Sequence, residues 1–386
     1  MFVPAKIADW LETHWVAPAY VGWVLMGLAA FFFAAATNTL AGWLYVMSGV
    51  LLGLLAIAAI LPPRNLSGLE IERQPIRPVS AGEALLIDLT LTNSTRQAKA
   101  LLQVWDGLPA ALAPPQRTAV AAIAPGRSHR WTYEVPTQRR GLYRWQTVAL
   151  RTAAPLGLFW CRRSQTVSAM ATVYPQILPL NQCALVDTAG QDSGQQWHAE
   201  NAVQLATEGI TRSMRPYRWG DSTRLIHWRS SARYGELRVR ELEKITAGQQ
   251  VVIALDTASA WDSEAFEQAV VAAASLYIYA LRRGFSTALW TPENKLTRNK
   301  LAVLTVLAEI LPRNQALTAV PAQPPPLSGL PAAPILWLTP QLKPKGQLPP
   351  GSRQICWAAP SGKEIQSAPI LWIRSDAALQ PQLQAV

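Results

Sequence analysis

The chain is organised around the stretch RSMRPYRWGDSTRLIHWRSSARYGELRVRELEK, residues 212–244. Basic side chains outnumber acidic ones in it, and two tryptophans and several aliphatic residues stand between the charges. A charge run that is merely solvated rarely carries such a regular apolar pattern. The stretch therefore predicts a folded segment with both an apolar and a basic side.

Turn and capping signals divide this stretch into a helix and a strand. Asp221 follows a glycine and is a favourable N-cap for a helix over residues 222–234, which Gly235 would close. From Glu236 to Leu242 apolar and polar side chains alternate, which is the period of a β-strand. The sequence predicts that helix followed directly by that strand.

The order of motifs in the stretch carries a family resemblance. It contains Tyr-x-x-Gly-Asp, Arg-x-Ile-x-Trp, Ser-Ala-Arg and Val-Arg-Glu-x-Glu, formed by Tyr217, Gly220, Asp221, Arg224, Trp228, Ser231, Arg233, Arg240, Glu241 and Glu243. This series resembles the signature of the domain of unknown function 58 family. The resemblance implies a bacterial, membrane-anchored protein, in a family with no agreed biochemical activity.

The arginines of the signature allow two interpretations. In the first they form a surface for an anionic partner or an acidic protein face, and the candidate contacts are Arg215, Arg218, Trp219 and Arg229. In the second, arginine–carboxylate pairs lock the fold, with Arg224, Arg233 and Arg240 facing Asp221, Glu241 and Glu243. The sequence leaves both interpretations open.

The N-terminal segment, residues 1–63, is the source of the apolar composition of the chain. Apolar residues make up 50% of the 386 residues and charged residues 15%, and no charged side chain occurs from Trp15 through Pro63. Residues 17–36 and 43–61 are each long enough to cross a hydrocarbon core of about 30 Å. We predict two transmembrane helices rather than a buried soluble hairpin, because two uncharged spans of this length are rare in soluble cores.

The flanking charges predict an orientation. Lys6 and Arg64 flank the two spans, whereas the short connection between the spans is uncharged. The positive-inside rule then places both termini and the bulk of the chain in the cytoplasm, at the inner or plasma membrane. A cleaved signal peptide is the alternative, but Asp9 and Glu12 offset Lys6 and a second apolar span follows directly. The net charge of +11 suits a domain held near anionic headgroups.

Residues 64–175 predict an antiparallel β-sandwich. Short runs in which apolar and polar residues alternate, such as 85–92 and 131–135, are separated by clusters of Pro, Gly and Ser. Residues 176–248 combine a loop with the signature. The Gln-, Gly- and Thr-rich part from 181 to 211 predicts a mobile surface loop.

Residues 249–386 predict a doubly wound α/β domain. An apolar run precedes a helical stripe that Asp262 or Ser263 can cap, and a second helix is expected at 301–311. The predicted strands are 251–255, 285–290, 335–338, 354–357 and 370–373. This half resembles a von Willebrand factor A-type domain, as does the C-terminal part of the same family. The chain is therefore predicted to be multi-domain, with a transmembrane hairpin, a β-sandwich and this α/β domain.

The resemblance to A-type domains raises the question of a metal. Such domains often bind a divalent cation through Asp-x-Ser-x-Ser after the first strand, because a hard cation needs converging oxygen ligands. Here Asp256 and Ser259 remain, but Ala258 and Ala260 stand at both serine positions. We expect a degenerate site without metal, and no cofactor. The three cysteines and four histidines are scattered, which indicates neither a disulfide framework nor a zinc site.

These features predict a non-enzymatic, membrane-anchored protein-interaction module. The family resemblance implies a MoxR-type AAA+ ATPase as the partner. One alternative is electrostatic binding of anionic lipid through the arginine-rich signature, with nucleic acid the less favoured ligand. The other is an enzyme that uses Asp221 and His227 as an acid–base pair, although the sequence holds no phosphate loop, HExxH or GxSxG motif.

Overall fold

The computed structural model describes residues 5–188, 211–219, 223, 226–242, 250–312, 333–340, 348–349, 351–357 and 370–385. The chain divides into two units, Met1–Tyr174 and Pro175–Val386. The first unit contains the apolar helices and the alternating strands. The second contains the signature stretch and the α/β region.

Three helices begin the first unit: α1 (Ala5–His14), α2 (Tyr20–Thr39) and α3 (Gly42–Leu66). Helices α2 and α3 pack against each other, and the Ser48 hydroxyl donates a 3.0 Å hydrogen bond to the carbonyl of Ala29 between them. Both helices are long and apolar enough to cross a membrane. The two predicted apolar helices are therefore confirmed, with bounds shifted by a few residues.

Helix α3 extends past the predicted end at residue 61, although Pro62 and Pro63 lie inside it. Its last turn is docked on the neighbouring strands. The Asn65 amide donates to the carbonyl of Ala100 at 2.8 Å and to the Thr152 hydroxyl at 3.2 Å. These tertiary contacts hold the last turn in helical form where local propensity favours an end.

The remaining elements of the first unit are strands. They are β1 (Ala17–Pro18), β2 (Leu69–Arg73), β3 (Val79–Ser80), β4 (Ala84–Asn93), β5 (Lys99–Asp106), β6 (Gln116–Ile123), β7 (Ser128–Pro136), β8 (Gly141–Thr152) and β9 (Phe159–Tyr174). One sheet has the order β1-β9-β8-β5-β6, with β3 also paired to β9, and the other has the order β2-β4-β7. The predicted alternating runs at 85–92 and 131–135 lie in β4 and β7.

Side chains from both sheets of the first unit pack into the same apolar clusters. Leu89 and Leu91 of β4 share one cluster with Leu102 of β5 and Leu150 of β8, and all four are buried. The alternation in the sequence accounts for this, because side chains two residues apart in a strand point to the same face. The buried faces of the two sheets are thus turned towards each other.

The second unit begins with the signature elements: β10 (Thr211–Pro216), α4 (Trp228–Tyr234) and β11 (Arg238–Leu242). The α/β region then adds β12 (Gln250–Leu255), α5 (Ser263–Arg282), β13 (Ser286–Thr291), β14 (Lys295–Thr297), α6 (Lys300–Glu309), β15 (Ile335–Thr339), β16 (Arg353–Cys356), β17 (Ile370–Trp372) and α7 (Leu379–Gln384). The predicted strands and both predicted helices of this region are present.

The sheet of the α/β region has the order β14-β13-β12-β15-β16-β17. All neighbours are parallel except β14, which pairs antiparallel with β13 at one edge. Helix α5 packs on this sheet through a buried apolar face that includes Phe266 and Val270. As predicted, Asp262 caps it, because its carboxylate accepts hydrogen bonds from the amides of Glu264 and Ala265.

The predicted loop at 181–211 is partly wrong. Residues 184–188 are helical, and Leu185 and Val186 are buried. Helix α5 supplies the reason, because the hydroxyl of Tyr279 accepts from the Cys183 amide at 3.2 Å and donates to Asp187 at 3.0 Å. The rest of the predicted loop, residues 189–210, lies outside the described residues.

Candidate functional site

The signature folds as a two-stranded sheet with a short helix between its strands. Strand β10 pairs antiparallel with β11, so that Met214 lies opposite Arg240 and Pro216 opposite Arg238. The Tyr217 amide donates to the carbonyl of Leu237 at 2.7 Å and continues the pairing past β10. The side chains of Arg240 and Glu241 lie outside the described part of the structure.

Helix α4 begins later than predicted. Ile226 forms an isolated bridge with Val239 of β11, so the predicted helix over 222–234 is wrong at this residue. Burial favours the bridge, because Ile226 and Val239 are both buried apolar residues. The predicted cap, Asp221, lies outside the described residues, as do Gly220 and Arg224. At the other end, Gly235 adopts the left-handed conformation (φ 70°) and closes the helix as predicted.

His227 is the N-cap of α4. Its Nδ1 accepts a 3.2 Å hydrogen bond from the Ser230 amide and lies 2.7 Å from the Ser230 hydroxyl. The imidazole thus satisfies one of the amides at the start of the helix that have no partner within it. If His227 acted as an acid or base with Asp221, either Nδ1 would have to give up its hydrogen bond to the Ser230 amide or Nε2 would have to transfer the proton.

Ser231 joins α4 to β11. Its hydroxyl donates to the carbonyl of His227 at 3.1 Å and accepts from the Arg238 amide at 2.9 Å. The His227 amide in turn donates to the carbonyl of Arg238 at 2.9 Å. Ser231 is buried, so this small network fixes the orientation of the helix on the strand.

Large aromatic side chains of the signature face outwards. Trp219 is fully exposed, Trp228 is 66% exposed and Tyr234 is 58% exposed. Aromatic side chains normally bury most of their surface, and exposed ones are enriched at sites of protein–protein contact. We call these three residues the exposed aromatics. Trp219 was a candidate contact from the sequence, whereas Trp228 was assigned to the structural part of the signature.

The arginines of the signature differ in their surroundings. Arg238 pairs with Glu236 at 2.8 Å, and its guanidinium lies 4.1 Å from the ring centre of Tyr234. Arg229 and Arg233 are exposed on α4, and neither forms an ion pair with another residue that the structure describes. Arg233 was predicted to pair with a carboxylate; of its proposed partners, Asp221 and Glu243 lie outside the described residues.

The other two candidate contacts are Arg215, which lies in β10, and Arg218, which follows that strand. Arg215 is partly buried, and its guanidinium donates to the carbonyl of Pro216 at 3.3 Å. Arg218 is exposed and directly precedes Trp219. The structure therefore places Arg218, Trp219 and Arg229 on the surface, whereas Arg215 is a partly buried residue of the β10–β11 pair.

A second polar site lies where the parallel strands β12 and β15 end. Asp256 follows β12 and is fully buried. Its Oδ1 accepts from the amides of Ala258 and Ser259 at 3.2 and 3.3 Å. Its Oδ2 accepts from the hydroxyls of Ser259 at 2.8 Å and Thr339 at 3.2 Å. Asp256 therefore holds the turn after β12 and ties it to the end of β15.

These contacts do not suit a divalent cation. A carboxylate has about four lone-pair positions, and at least that many donors surround Asp256. The nearby Thr257 hydroxyl is directed to both oxygens of Glu293, at 2.8 and 2.7 Å. Among the described residues, no group of three or more His, Cys, Asp or Glu side chains is placed to hold a metal ion. The donor set therefore fits a hydrogen-bonded carboxylate rather than a metal ligand.

Thr339 and Glu293 were not singled out from the sequence. The usable signal was that Thr339 follows a parallel strand adjacent to β12, which brings its hydroxyl to the same edge as Asp256. Glu293 gave no such signal, because it lies in the turn between β13 and β14.

Residues 213–322 match the model of the family described as protein of unknown function DUF58. This segment belongs to the DUF58 family. The family predicted from the signature motifs is thereby confirmed, and the DUF58 segment runs from β10 to beyond α6.

One relative of known sequence is the uncharacterized protein YeaD of Bacillus subtilis (strain 168). It is 25% identical over 214 residues, which are 54% of this chain and 52% of that protein. The chain thus spans about half the length of this relative. The name of this relative states no activity, so the similarity indicates a relationship between the two sequences and not a function.

Two solved structures show distant likenesses. The CARDB domain of the PF1109 protein from Pyrococcus furiosus aligns over 26% of this chain and 94% of its own, with 11% identity and a TM-score of 0.20. A β-glucosidase from Listeria innocua aligns over 29% of this chain and 16% of its own, with 17% identity and a TM-score of 0.19.

Proposed function

We propose that the chain is a non-enzymatic, membrane-anchored protein-interaction module whose DUF58 segment makes the contact. The observation that carries this proposal is the exposure of Trp219, Trp228 and Tyr234 on the signature, next to exposed arginines. Exposed aromatic and arginine side chains supply most of the binding energy in many protein interfaces. The buried contacts of Ser231 and His227 hold the segment that presents them.

The anchor in this proposal is the pair of helices α2 and α3. Most of their apolar side chains face outwards. Of the residues in the most apolar part of each helix, only 17% are buried in α2 and 22% in α3. The core helix of a soluble protein would be largely buried, so this exposure favours a lipid environment. In this proposal both helices cross the inner or plasma membrane and the rest of the chain lies in the cytoplasm.

The soluble part is proposed to be a β-sandwich followed by a von Willebrand factor A-like domain. Support for the sandwich is the shared apolar clusters of the two sheets in the first unit. Support for the von Willebrand factor A-like domain is the strand order of its sheet. The first strand of the region, β12, lies at the centre, and a short antiparallel strand, β14, lies at one edge. In doubly wound sheets, binding surfaces form at the carboxyl ends of such strands.

The partner is proposed to be a MoxR-type AAA+ ATPase, which the family resemblance implies. Contact through aromatic and basic side chains requires a partner surface with apolar pockets and carboxylates. Such a complex would resist salt, since its energy would come mainly from buried aromatic surface.

A second candidate function is electrostatic binding of anionic lipid. Arg229 and Arg233 favour it, because they are exposed one turn apart on α4 beside Trp228. Binding through such contacts would weaken steeply with salt, because it depends on charge and counterion release. Salt dependence therefore separates the two candidates.

The experiment is a binding titration of the full-length chain in detergent micelles against a purified MoxR-type AAA+ ATPase. Arg218→Glu/Arg229→Glu and Trp219→Ser/Trp228→Ser remove the charge and the aromatic surface separately. Arg298→Glu/Lys300→Glu is the matched control, because it makes the same change of charge at exposed positions elsewhere in the second unit.

We expect both signature variants to weaken binding of the ATPase at high salt and the control to leave it unchanged. Absence of ATPase binding by the wild-type chain would refute this partner. Retention on vesicles containing phosphatidylglycerol that is lost at high salt, and lost in Arg218→Glu/Arg229→Glu, would instead support the electrostatic candidate.

A further inference from the structure

Helix α1 presents an apolar face to the outside, away from the sheet on which it packs. Ile7 and Trp10 lie on this face and are about half exposed, and Trp10 stacks on His14 with ring centres 5.1 Å apart. Glu12, on the opposite face, is buried. Trp15, which follows the helix, is 71% exposed. We call Ile7, Trp10 and Trp15 the outer residues of α1.

Ion pairs hold α1 in place on β8 and β9. Arg151 forms a bidentate pair with Glu12, with distances of 2.5 and 3.1 Å, and Arg162 pairs with Asp9. Arg163 donates to the carbonyl of Thr13 at 2.7 Å, at the negative end of the helix dipole. The orientation of α1 relative to the sheet is therefore determined by several charged contacts.

These contacts place α1 at the level where the apolar part of α3 ends. Asn65, directly after Arg64 in α3, donates to Thr152, and Thr152 is the neighbour of the Arg151 that binds Glu12. Arg151 and Arg162 are themselves opposite each other in the β8–β9 pair. In β8, the residue that binds α1, Arg151, is thus adjacent to the residue that binds the end of α3, Thr152.

The connection between β8 and β9 contacts both apolar helices. The Ala19 amide donates to the carbonyl of Leu158 at 2.8 Å, just before α2 begins. Leu158 and Phe159 also pack against Leu55 and Ala58 of α3. The end of the sheet therefore contacts both apolar helices, and α1 is fixed on the same two strands.

We infer that α1 is an interfacial helix that lies in the headgroup region of the bilayer, with Trp10 and Trp15 among the lipids. This inference rests on the proposed membrane anchor. Tryptophan is the side chain most typical of membrane–water interfaces, and an amphipathic helix with a tryptophan-bearing apolar face binds there. In the sequence, the outer residues are followed closely by further exposed apolar residues at the start of α2, Tyr20 and Val21.

The charges around α1 suit a lipid surface rather than a protein pocket. Asp9 and Glu12 would be repelled by anionic headgroups, but each is paired with an arginine of the sheet. Arg163 is directed to backbone carbonyls instead of a carboxylate, so its positive charge remains available to attract anionic lipid. Helix α1 therefore adds a third lipid contact to those of α2 and α3.

The test uses the full-length chain in vesicles of phosphatidylcholine and phosphatidylglycerol, with a thiol-reactive fluorophore at Trp10→Cys. Selective labelling is feasible because Cys161, Cys183 and Cys356 are buried, and burial raises the pKa of each thiol above its ordinary value. Ile7→Cys reports on the same face of α1. Quenching is compared between lipids that carry a nitroxide on the headgroup and lipids that carry it on the acyl chain.

Two matched positions complete the design. Met170→Cys is the aqueous control, because Met170 is exposed on β9 and lies roughly 35 Å along that strand from Phe159, at about 3.3 Å per residue. Ala30→Cys, at an exposed position in the middle of α2, reports on the anchor itself.

We expect headgroup nitroxide to quench the labels at 7 and 10 several-fold more strongly than the label at 170, and acyl-chain nitroxide to quench the label at 30. Equal quenching at 7, 10 and 170, with strong quenching at 30, would overturn the interfacial helix and leave the anchor standing. Weak quenching by both lipids at 30 would refute the anchor, and the inference with it.

Discussion

Arg73 and Asp106 form a buried, bidentate ion pair that joins the two sheets of the first unit. Arg73 lies at the end of β2 and Asp106 at the end of β5, with distances of 2.5 Å from Nη1 to Oδ2 and 3.0 Å from Nη2 to Oδ1. Their side chains are 2% and 0% exposed. Burial of two charges is tolerated only where each finds several partners.

Asp106 receives those partners from both sheets. The Tyr133 hydroxyl of β7 donates to its Oδ2 at 2.7 Å, and Trp145 Nε1 of β8 donates to its Oδ1 at 2.9 Å. The guanidinium of Arg73 also lies 5.0 Å from the ring centre of Trp145. Burial and the adjacent Asp106 carboxylate raise the pKa of Tyr133 far above its ordinary value of 10.0, so the phenol stays a donor.

The first prediction is that Asp106→Leu destabilises the chain by about 3–5 kcal/mol, because it leaves Arg73 charged and buried without a counterion. Tyr133→Phe removes one hydrogen bond to the same carboxylate and should cost about 1–2 kcal/mol. Chemical denaturation of the detergent-solubilised chain measures both.

The double variant Arg73→Met/Asp106→Leu provides the control for this pair. It removes both charges, so it should be more stable than Asp106→Leu alone. A double variant no more stable than the single one would show that the loss comes from packing at position 106 and not from the stranded arginine.

The second prediction concerns Asp88 of β4, which lies near the surface. Hydrogen bonds from Arg130 (2.6 Å) and Thr132 hold the pKa of Asp88 below its ordinary value of 3.8. A depressed pKa in the folded state stabilises the fold above the unfolded pKa and is lost as the pH falls through the folded pKa.

We therefore expect Asp88→Asn to be less stable than the wild type at neutral pH and the difference to shrink below about pH 4. Thermal unfolding of both proteins across this pH range measures it. A difference that is constant with pH would mean that the charge of Asp88 contributes nothing.

The third prediction is that Mg²⁺ and EDTA leave the unfolding temperature of the chain unchanged, because hydrogen-bond donors already surround the Asp256 carboxylate. Asp256→Ala should cost about 2–3 kcal/mol, since hydrogen bonds to a charged acceptor are stronger than neutral ones. Thr339→Val should cost less, as it removes one donor of the four. A rise in unfolding temperature with Mg²⁺ that Asp256→Ala abolishes would contradict this account.

The fourth prediction compares two glycines of α2. A Cβ at Gly22 would lie 2.3 Å from the carbonyl oxygen of Leu158, whereas a Cβ at Gly27 would meet no atom within 4 Å. We expect Gly22→Ala to cost about 1–3 kcal/mol, because it forces α2 away from the β8–β9 connection. Gly27→Ala should be neutral or slightly stabilising. Thermal unfolding in micelles measures both, and equal effects would show that the close approach at Gly22 has no energetic weight.

Local patterns predicted most of the elements. The uncharged spans gave α2 and α3, the alternation at 85–92 gave β4, and the apolar run at 251–255 gave β12. Gly235 closes α4 as expected, because a left-handed C-terminal residue is a local requirement. Each of these features depends on residues that are close together in the sequence, so one sequence is enough to predict it.

The errors occurred where a contact distant in sequence overrode the local pattern. Ile226 pairs with Val239 instead of continuing a helix. Residues 184–188 are helical because Tyr279 of α5 provides a hydrogen-bond partner for Cys183 and Asp187. Helix α3 passes through two prolines because Asn65 docks on β5 and β8. Local propensity is a weak influence compared with such tertiary contacts.

Motifs and periodicity are local properties, so they were enough to predict the family of the signature, the two apolar spans and the alternation of strands and helices in the second unit. Which charges meet depends on the tertiary structure. It brought Arg73 to Asp106 and Arg151 to Glu12, and it surrounded Asp256 with hydrogen-bond donors from its own turn and from Thr339. Ion pairs and hydrogen bonds depend on distances of a few ångströms between atoms. The packing of one sheet on the other, and of α1 on β8 and β9, sets those distances between residues far apart in the chain.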